Sequence, residues 1–378
     1  MNWPLKRLDQ LGYVSRGRSK HRPRDAAHLY GGQYPFIQTG DVKHSDLFIR
    51  EFTQTYSDAG LAQSRLWPVG TLCITVAANI ADTSILSFEA CFPDSVIGFI
   101  PDPVEADARF VKYSFDALLQ RQYQNFSKGA AQDNLSQEKL LSIDFPVPKI
   151  EMQTKIADVL AAYDAMIETN RRRIALLEQA TRLLYEEWFV RFRFPGHEHA
   201  KFINGLPDGW TRVPLGDVLT LKRGYDLPSS TRVDGEVPVV SSSGITGYHN
   251  QVQAKAPGIV TGRYGTLGQV YFVQRDFWPL NTALYVSDFK GLQPEFALHL
   301  LRNVLASWQS DKAAVPGIDR KVLHKFPVIV PPESLREQFS SFASYVYKQI
   351  FTLENASVKL ENARDLLLPR LMSGEVEV

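Results

Sequence analysis

Residues 151–190, EMQTKIADVLAAYDAMIETNRRRIALLEQATRLLYEEWFV, run forty positions without a glycine or a proline. Within them apolar residues recur every seven positions in two columns. One column is Ile156, Tyr163, Asn170, Leu177 and Leu184; the other is Leu160, Ile167, Ile174, Thr181 and Trp188. Eight of these ten are apolar over five heptads, the pattern of a coiled-coil helix rather than of an ordinary surface helix. Such a helix extends about 60 Å at ~1.5 Å per residue. Asn170 in the seam costs stability and fixes register or partner.

A second stretch behaves alike. After Pro331-Pro332, the segment Ser334-Leu335-Arg336-Glu337 has the form of a capping box, in which Ser and Glu satisfy each other's free backbone N–H groups. Phe339, Val346, Leu353, Leu360 and Leu367 then form an unbroken seven-residue column, which Pro369 and Gly374 are expected to stop. Two long helices, each with a wide apolar seam, most simply pack on each other. The plainer alternative is that each covers its own neighbouring module.

Working outward, the rest of the chain repeats at half-length. Trp3-Pro4-Leu5-Lys6-Arg7-Leu8 leads to Ser15-Arg16-Gly17, and Trp210-Thr211-Arg212-Val213-Pro214-Leu215 leads to Lys222-Arg223-Gly224. Tyr34-Pro35-Phe36-Ile37 matches Val237-Pro238-Val239-Val240, and Pro68-Val69-Gly70 matches Ala256-Pro257-Gly258. Phe145-Pro146-Val147-Pro148 matches Phe326-Pro327-Val328-Ile329-Val330-Pro331. Five matches in one order make each half a module closed by a Pro-bounded strand and followed by a long helix. Short β-rich runs (72–76, 96–100, 258–261 and 269–273) and helical spacing over 110–123 and 294–308 give the modules an α+β character.

The 378 residues contain 42 Lys and Arg against 41 Asp and Glu, with 44% hydrophobic residues and a net charge of +1. That excludes disorder and a disulfide scaffold. It also excludes nucleic-acid binding through bulk positive charge. Only Cys73 and Cys91 are present, so neither a zinc ribbon nor a disulfide framework is available. The first residues lack an apolar signal core, and no run reaches the ~18 apolar residues of a membrane span. A reduced cytoplasm, with no membrane partner, is the expected setting.

Catalytic patterns do not assemble. No phosphate-binding loop, no Asn/Asp-Pro-Pro-aromatic methyltransferase tetrapeptide and no Ser/His/Asp set can be read. The glycine-rich run 262–268 is flanked by β-rich residues and reads as strand–turn–strand. Asp41-Val42-Lys43 is half of a nuclease-like metal site without its acidic partner. His197-Glu198-His199 places two imidazoles on one side of an extended segment without further ligands, so no metal site is expected.

Local positive charge is clear. Arg16, Arg18, Lys20, Arg22 and Arg24 fall within nine residues that contain no acid. Such residues neutralise phosphates, and Arg also pairs bidentately with guanine in the major groove. Lys222 and Arg223 are the weaker counterpart. Polar turns at matching places, Gln38-Thr39-Gly40 and Ser241-Ser242-Ser243-Gly244, carry groups suited to base edges, although such turns are commonly only turns.

Residues 183–198, LLYEEWFVRFRFPGHE, closely resemble the end of the first long helix in specificity subunits of type I restriction–modification systems. Leu206-Pro207-Asp208-Gly209-Trp210 resembles the lead-in to their second target-recognition domain, and residues 366–375, LLLPRLMSGE, resemble their C-terminal ending. Arg336-Glu337-Gln338 resembles the family's helix start; Glu151-Met152-Gln153 departs from it at Met152. The resemblance implies two α+β target-recognition domains (1–150 and 196–333). It implies two long helices, 151–195 with its linker and 334–378 with its tail, packed as an antiparallel coiled coil in a pseudo-two-fold arrangement.

It further implies a non-catalytic subunit that binds a bipartite, asymmetric site in double-stranded DNA, with the helices setting the spacer. Two methyltransferase (modification) subunits dock on those helices, and restriction (translocase and nuclease) subunits join. Adenine methylation then uses S-adenosylmethionine held by a partner, and this chain needs no cofactor. The competing readings are a coiled-coil scaffold with two protein- or glycan-binding modules, and a self-sufficient DNA-modifying enzyme.

Overall fold

The computed structural model describes residues 3–21, 23–76, 82–126, 137–263, 268–311 and 317–378. The chain divides into two compact units, residues 1–170 with 356–378, and residues 171–355. Each unit therefore contains one module and a length of both long helices.

In the first unit the strands are β1 (Leu5–Arg7), β2 (Gly12–Arg16), β3 (Tyr30–Phe36), β4 (Phe48–Ile49), β5 (Gln54–Tyr56), β6 (Leu72–Thr75), β7 (Thr83–Leu86), β8 (Val96–Pro101) and β9 (Asp144–Pro146). The helices are α1 (Thr39–Lys43), α2 (Asp58–Ala62), α3 (Ala108–Phe126), α4 (Gln137–Leu141) and the start of α5 (Ile150–Tyr185). A five-stranded sheet has the order β2-β8-β6-β7-β4, antiparallel except between β4 and β7. Both faces of its centre are covered, so β6 is buried at every position rather than at alternate ones. The module's first and last strands, β1 and β9, pair with each other, Leu5 opposite Pro146.

The second unit holds β10 (Phe202–Ile203), β11 (Leu206–Pro207), β12 (Thr211–Pro214), β13 (Thr220–Arg223), β14 (Val237–Ser241), β15 (Gly244–His249), β16 (Gly258–Gly262), β17 (Val270–Val273), β18 (Trp278–Pro279), β19 (Ala283–Asp288) and β20 (Pro327–Val330). Its helices are α6 (Leu215–Val218), α7 (Pro294–Asp311), α8 (Arg320–Leu323) and the start of α9 (Glu333–Met372). Its main sheet, β13-β19-β16-β17, repeats the connection order of β2-β8-β6-β7. Again the first and last strands of the module pair, β12 with β20. The stretches matched at the two ends of the sequence repeat are thus hydrogen-bonded neighbours in both modules. The strands flanking the glycine-rich run 262–268, β16 and β17, are an antiparallel pair; positions 264–267, where the turn is expected, lie outside the described residues.

The long helices run antiparallel within each unit. In the first, Ile156, Ala157 and Leu160 share a core with Leu368, Leu371 and Met372, and with Phe110 and Val111 from α3. Asn170 donates its amide to the Ser357 hydroxyl at 3.3 Å. In the second, Ile174, Leu177, Leu184 and Trp188 pack on a core that includes Tyr185, Phe189, Phe339, Ala343, Val346, Tyr347 and Ile350. Of the seam columns, Ile156, Leu160, Ile167, Thr181, Phe339 and Val346 are buried. Tyr163, Ile174, Leu177, Leu184, Trp188, Leu353, Leu360 and Leu367 are half-buried.

The heptad columns understate the buried stripe. Tyr185, Phe189, Ala343, Tyr347 and Ile350 lie beside them because each helix also meets its module, which widens the apolar face toward the 3.6-residue period.

Two expected helix ends differ. The second long helix begins at Glu333, and the Pro332 carbonyl accepts from Leu335 and Arg336. Ser334 therefore lies inside the first turn and cannot be the cap of a Ser334–Glu337 box. At the other end Pro369 sits within the helix, which continues to Met372. Burial of Leu368, Leu371 and Met372 holds that turn in place across the missing N–H, and Gly374, with φ of 71°, ends it.

The first long helix ends in a π-helical turn, Glu186–Val190, with the Arg191 N–H reaching the Glu186 carbonyl five residues back at 2.9 Å. Phe189 is thereby placed among Trp210, Phe296 and Phe339, with ring centroids 6.0, 5.1 and 5.3 Å away.

Candidate nucleic-acid interface

In the first module the basic run leaves β2 and is laid against residues 92–96. The Gly17 N–H donates to the Val96 carbonyl at 2.9 Å, and that of Arg18 to the Phe92 carbonyl at 3.1 Å. A Cβ on Gly17 would stand 2.3 Å from the Phe92 oxygen, so only glycine allows this approach. The far side is held too: Ser64 donates to the Arg18 carbonyl at 2.8 Å, and Gln63 accepts from the His21 N–H at 2.9 Å.

Arg16, Arg18, Lys20 and Arg24 are all exposed, but they are not equivalent. Arg24 donates to both oxygens of Asp94, at 2.9 and 3.0 Å, and Arg16 reaches the Asp94 backbone carbonyl. Arg18 and Lys20 form no ion pair among the described residues. Arg22 lies outside the described residues. The stretch free of acids in sequence therefore meets an acid across the fold, which spends much of Arg24's charge.

A cationic group missed in the sequence sits beside this loop. The Arg65 guanidinium lies over Tyr13 and Trp67, 4.8 and 4.2 Å from the ring centroids, and donates to the Tyr13 hydroxyl at 2.8 Å. A hydrogen bond with Ser15, then Arg65, lowers the Tyr13 phenol below its ordinary range. Arg65 is isolated in sequence between Ser64 and Leu66; only the fold stacks it on Tyr13, fifty-two residues away.

Gln38 and Thr39 do not form a free turn. Gln38 is the N-cap of α1 and Thr39 its first residue, both half-buried. The Asp41 carboxylate accepts from the Gln38 N–H at 2.8 Å and from the Thr53 hydroxyl at 3.2 Å, and the Gln38 amide donates to Gln54 at 2.6 Å. Asp41 is thus engaged as a cap rather than as half of a nuclease site. The Ile37 N–H bonds the Cys91 carbonyl beside the Phe92 carbonyl that holds Arg18, so this cap and the basic loop flank one segment.

In the second module Lys222 and Arg223 are exposed on β13, and Gly224 repeats the geometry of Gly17: a Cβ there would stand 2.1 Å from the Leu280 oxygen. The Lys222 ammonium donates to the Tyr225 hydroxyl at 2.9 Å, and that hydroxyl lies 3.2 Å from the Tyr285 hydroxyl. The hydrogen bond from Lys222, followed by that of Tyr285, pulls the Tyr225 phenol down to about 8. Burial, first, pushes the Tyr285 phenol up.

Ser241 is buried, Ser242 half-buried and Ser243 exposed. They close the β14–β15 hairpin, with the Ser241 hydroxyl accepting from the Ser243 N–H at 3.1 Å and lying 3.2 Å from the Gly244 carbonyl. Ser241 is thus occupied in shaping the turn, which leaves Ser242 and Ser243 nearer its tip. Exposed Ile245 follows directly.

His197 and His199 occupy a single 3-10 turn rather than an extended segment, and at three residues per turn they do not share a side. Among the described residues no group of three or more His, Cys, Asp or Glu side chains is placed to hold a metal ion. Both cysteines are buried and free. Among the described residues no helix is long and apolar enough to cross a membrane.

A family model described as the type I restriction modification DNA specificity domain matches residues 1–179 and again 207–362. The MjaIX type I restriction enzyme specificity subunit of Methanocaldococcus jannaschii is 23% identical over 410 aligned positions, covering 100% of this chain and 94% of that protein. The EcoprrI type I restriction enzyme specificity subunit of Escherichia coli is 19% identical, covering 88% of this chain and 84% of the relative. The crystal structure of a type I restriction–modification S subunit from M. genitalium shares the fold, with a TM-score of 0.58 at 15% identity over 98% of this chain and 96% of that one.

Proposed function

The chain belongs to the type I restriction modification DNA specificity family, and from that premise we propose that it recognises a bipartite, asymmetric DNA target, one half per module. The observation that carries this is a shared frame with unlike tips. Both modules pair their first and last strands, repeat one sheet order and place a glycine against a backbone carbonyl at the same point. Yet after the matching strands one runs into the Gln38 cap and α1, while the other turns at Ser241–Gly244 into a hairpin. Identical surfaces read the two halves of a palindrome; unlike surfaces on one frame read two different halves.

On this reading Arg16, Arg18, Lys20, Arg22, Lys222 and Arg223 contact phosphates or guanine edges, and Gln38, Thr39, Ser242 and Ser243 lie at base-reading tips. Arg24 serves less, being paired. The modules correspond to residues 1–150 and 196–333, and the helices of 151–195 and 334–378 form a pseudo-two-fold coiled coil that sets the spacer. Leu176 and Leu183 on α5 and Val190 in the π-helical turn that follows stay exposed at seven-residue spacing, and Phe342 and Tyr345, three residues apart on α9, are exposed too. That unpartnered apolar face suits the docking of methyltransferase subunits, two in number, with restriction subunits joining them. The chemistry then resides in those partners, in the cytoplasm.

The test is to map methylated adenines in a host that expresses this chain with its methyltransferase subunit. A two-part motif with a fixed gap is expected; a continuous motif overturns the reading. Inserting one heptad into the first helix adds about 10 Å, or about three base pairs at ~3.4 Å each. The gap should lengthen while both halves stay the same.

A further inference from the structure

Asp164 is a carboxylate 7% exposed within the first unit, on the face of α5 that meets α9. Its Oδ2 accepts the Tyr113 hydroxyl of α3 at 2.5 Å, and its Oδ1 accepts the Arg364 guanidinium of α9. The remaining donors of Arg364 bond Asp365 at 3.0 and 2.9 Å. Alongside, Lys112 pairs with Asp116 at 2.6 Å, and Asp116 also faces the Thr83 hydroxyl of β7 at 3.4 Å. Lys112, Tyr113, Asp116, Asp164, Arg364 and Asp365 border a polar cavity of about 270 Å³.

One residue from the recognition module and one from α9 therefore converge on a single buried carboxylate of α5. A carboxylate out of water is tolerated only while its donors are in place. Charged groups of this kind in helix seams are best attested as devices that select one register. One turn along α9 in either direction from Arg364 stands Leu360 or Leu368, and neither can donate a hydrogen bond. Such a slip moves the helix by about 5.4 Å, more than the ~3.4 Å rise of one base pair. The Tyr113 hydroxyl adds a constraint that helix pairing alone lacks, since it holds α3, and with it the module, at one angle on both helices.

We propose that Asp164 is a positioning residue: through Tyr113 and Arg364 it locks the first recognition module onto the helix pair and so sets how strictly the complex discriminates spacer length. This rests on the bipartite reading. Asp164 does not touch DNA, and its loss should leave the bases of both halves unchanged.

The experiment uses the full chain co-expressed with its methyltransferase subunit, and synthetic duplexes built on the mapped motif. Methylation rates are compared across duplexes whose gap is native, one base pair shorter or one longer. A parallel set varies the half-site bases at constant gap. Asp164→Asn should reduce the preference for the native gap by about tenfold and leave the half-site preferences intact. Tyr113→Phe, which keeps the ring and removes only the hydroxyl, should reduce it in the same direction. Arg364→Lys, which keeps a cation facing the carboxylate, should restore most of the preference lost in Arg364→Leu.

If Asp164→Asn fails to fold, Tyr113→Phe decides the matter. An unchanged gap preference in Tyr113→Phe, beside a discriminating wild type, overturns the lock, even if its melting temperature falls. A wild-type complex that methylates every gap equally refutes the bipartite reading itself, and the lock with it.

Discussion

Arg24 donates two hydrogen bonds to Asp94, seventy residues away, closing with an acid a run that contains none in sequence. The pair is exposed and worth at most about 1 kcal/mol, but on the proposed function it leaves Arg18 and Lys20, rather than Arg24, for phosphate. Arg18→Ala and Lys20→Ala should each weaken binding to all DNA sequences alike and reduce the slope of log affinity against log salt by about one. Arg24→Ala should do distinctly less, and Asp94→Asn should raise affinity. Fluorescence anisotropy over a salt series, with the methyltransferase present, checks this; equal losses for Arg18→Ala and Arg24→Ala would contradict it.

Tyr225 supplies a pH dependence. Its phenol, drawn down to about 8 by Lys222 and Tyr285 from an ordinary value of about 10, is the kind of depressed acid whose interaction is present above the unfolded value and lost as pH falls through 8. Near a polyanion the consequence has the opposite sign, since the phenolate repels phosphate. DNA affinity should fall as pH rises through about 8, and Tyr225→Phe should flatten that fall. Tyrosinate absorbance should show one group titrating there in the free protein, moving upward in Lys222→Ala.

His299 gives a pH dependence of stability. It is buried beneath the Tyr185 and Phe339 rings and accepts or donates at 3.0 Å with the Tyr347 hydroxyl. Burial, then Arg302, lowers its pKa to about 3. Below about 6.5 the unfolded chain binds a proton that the folded chain refuses. Stability is therefore complete above about 6.5 and declines toward 3, by up to about 1.4 kcal/mol per pH unit. Urea unfolding of wild type and His299→Gln across that window should show a steeper loss of stability with falling pH in the wild type than in the variant.

Phe339 and Phe342 are three residues apart on α9 with opposite exposure, fully buried against 46% exposed. Phe339→Ala removes the ring on which Tyr185, Trp188 and Phe189 all lean, and should cost about 3–5 kcal/mol. Phe342→Ala should leave the chain's unfolding within about 0.5 kcal/mol of wild type, yet reduce co-purification of the methyltransferase subunit. A large stability loss in Phe342→Ala would remove the argument that its face is reserved for a partner.

The long helices were legible because a seven-residue column such as Phe339, Val346, Leu353 needs no partner to be seen. The repeat was legible because Trp3-Pro4 and Trp210-Thr211, Phe145-Pro146 and Phe326-Pro327 match in order. What stayed hidden depends on approach through space. Asp94 meeting Arg24, Arg65 stacked on Tyr13, and Tyr113 and Arg364 converging on Asp164 all join residues separated by 50 to 200 positions. Helix ends were read less well for a different reason. Pro369 is a helix breaker locally, but the burial of Leu368 and Leu371 around it outweighs that tendency.

Each module's opening strand is hydrogen-bonded to its closing strand, β1 to β9 and β12 to β20, so the chain enters and leaves each at neighbouring points. Such a module behaves as a loop hung from a clasp. Residues gained, lost or exchanged beyond the clasp leave the path of the helix that follows unchanged. On the proposed function, lineages can therefore rewrite what is read at one tip while the platform for the partner subunits passes unaltered from one generation to the next.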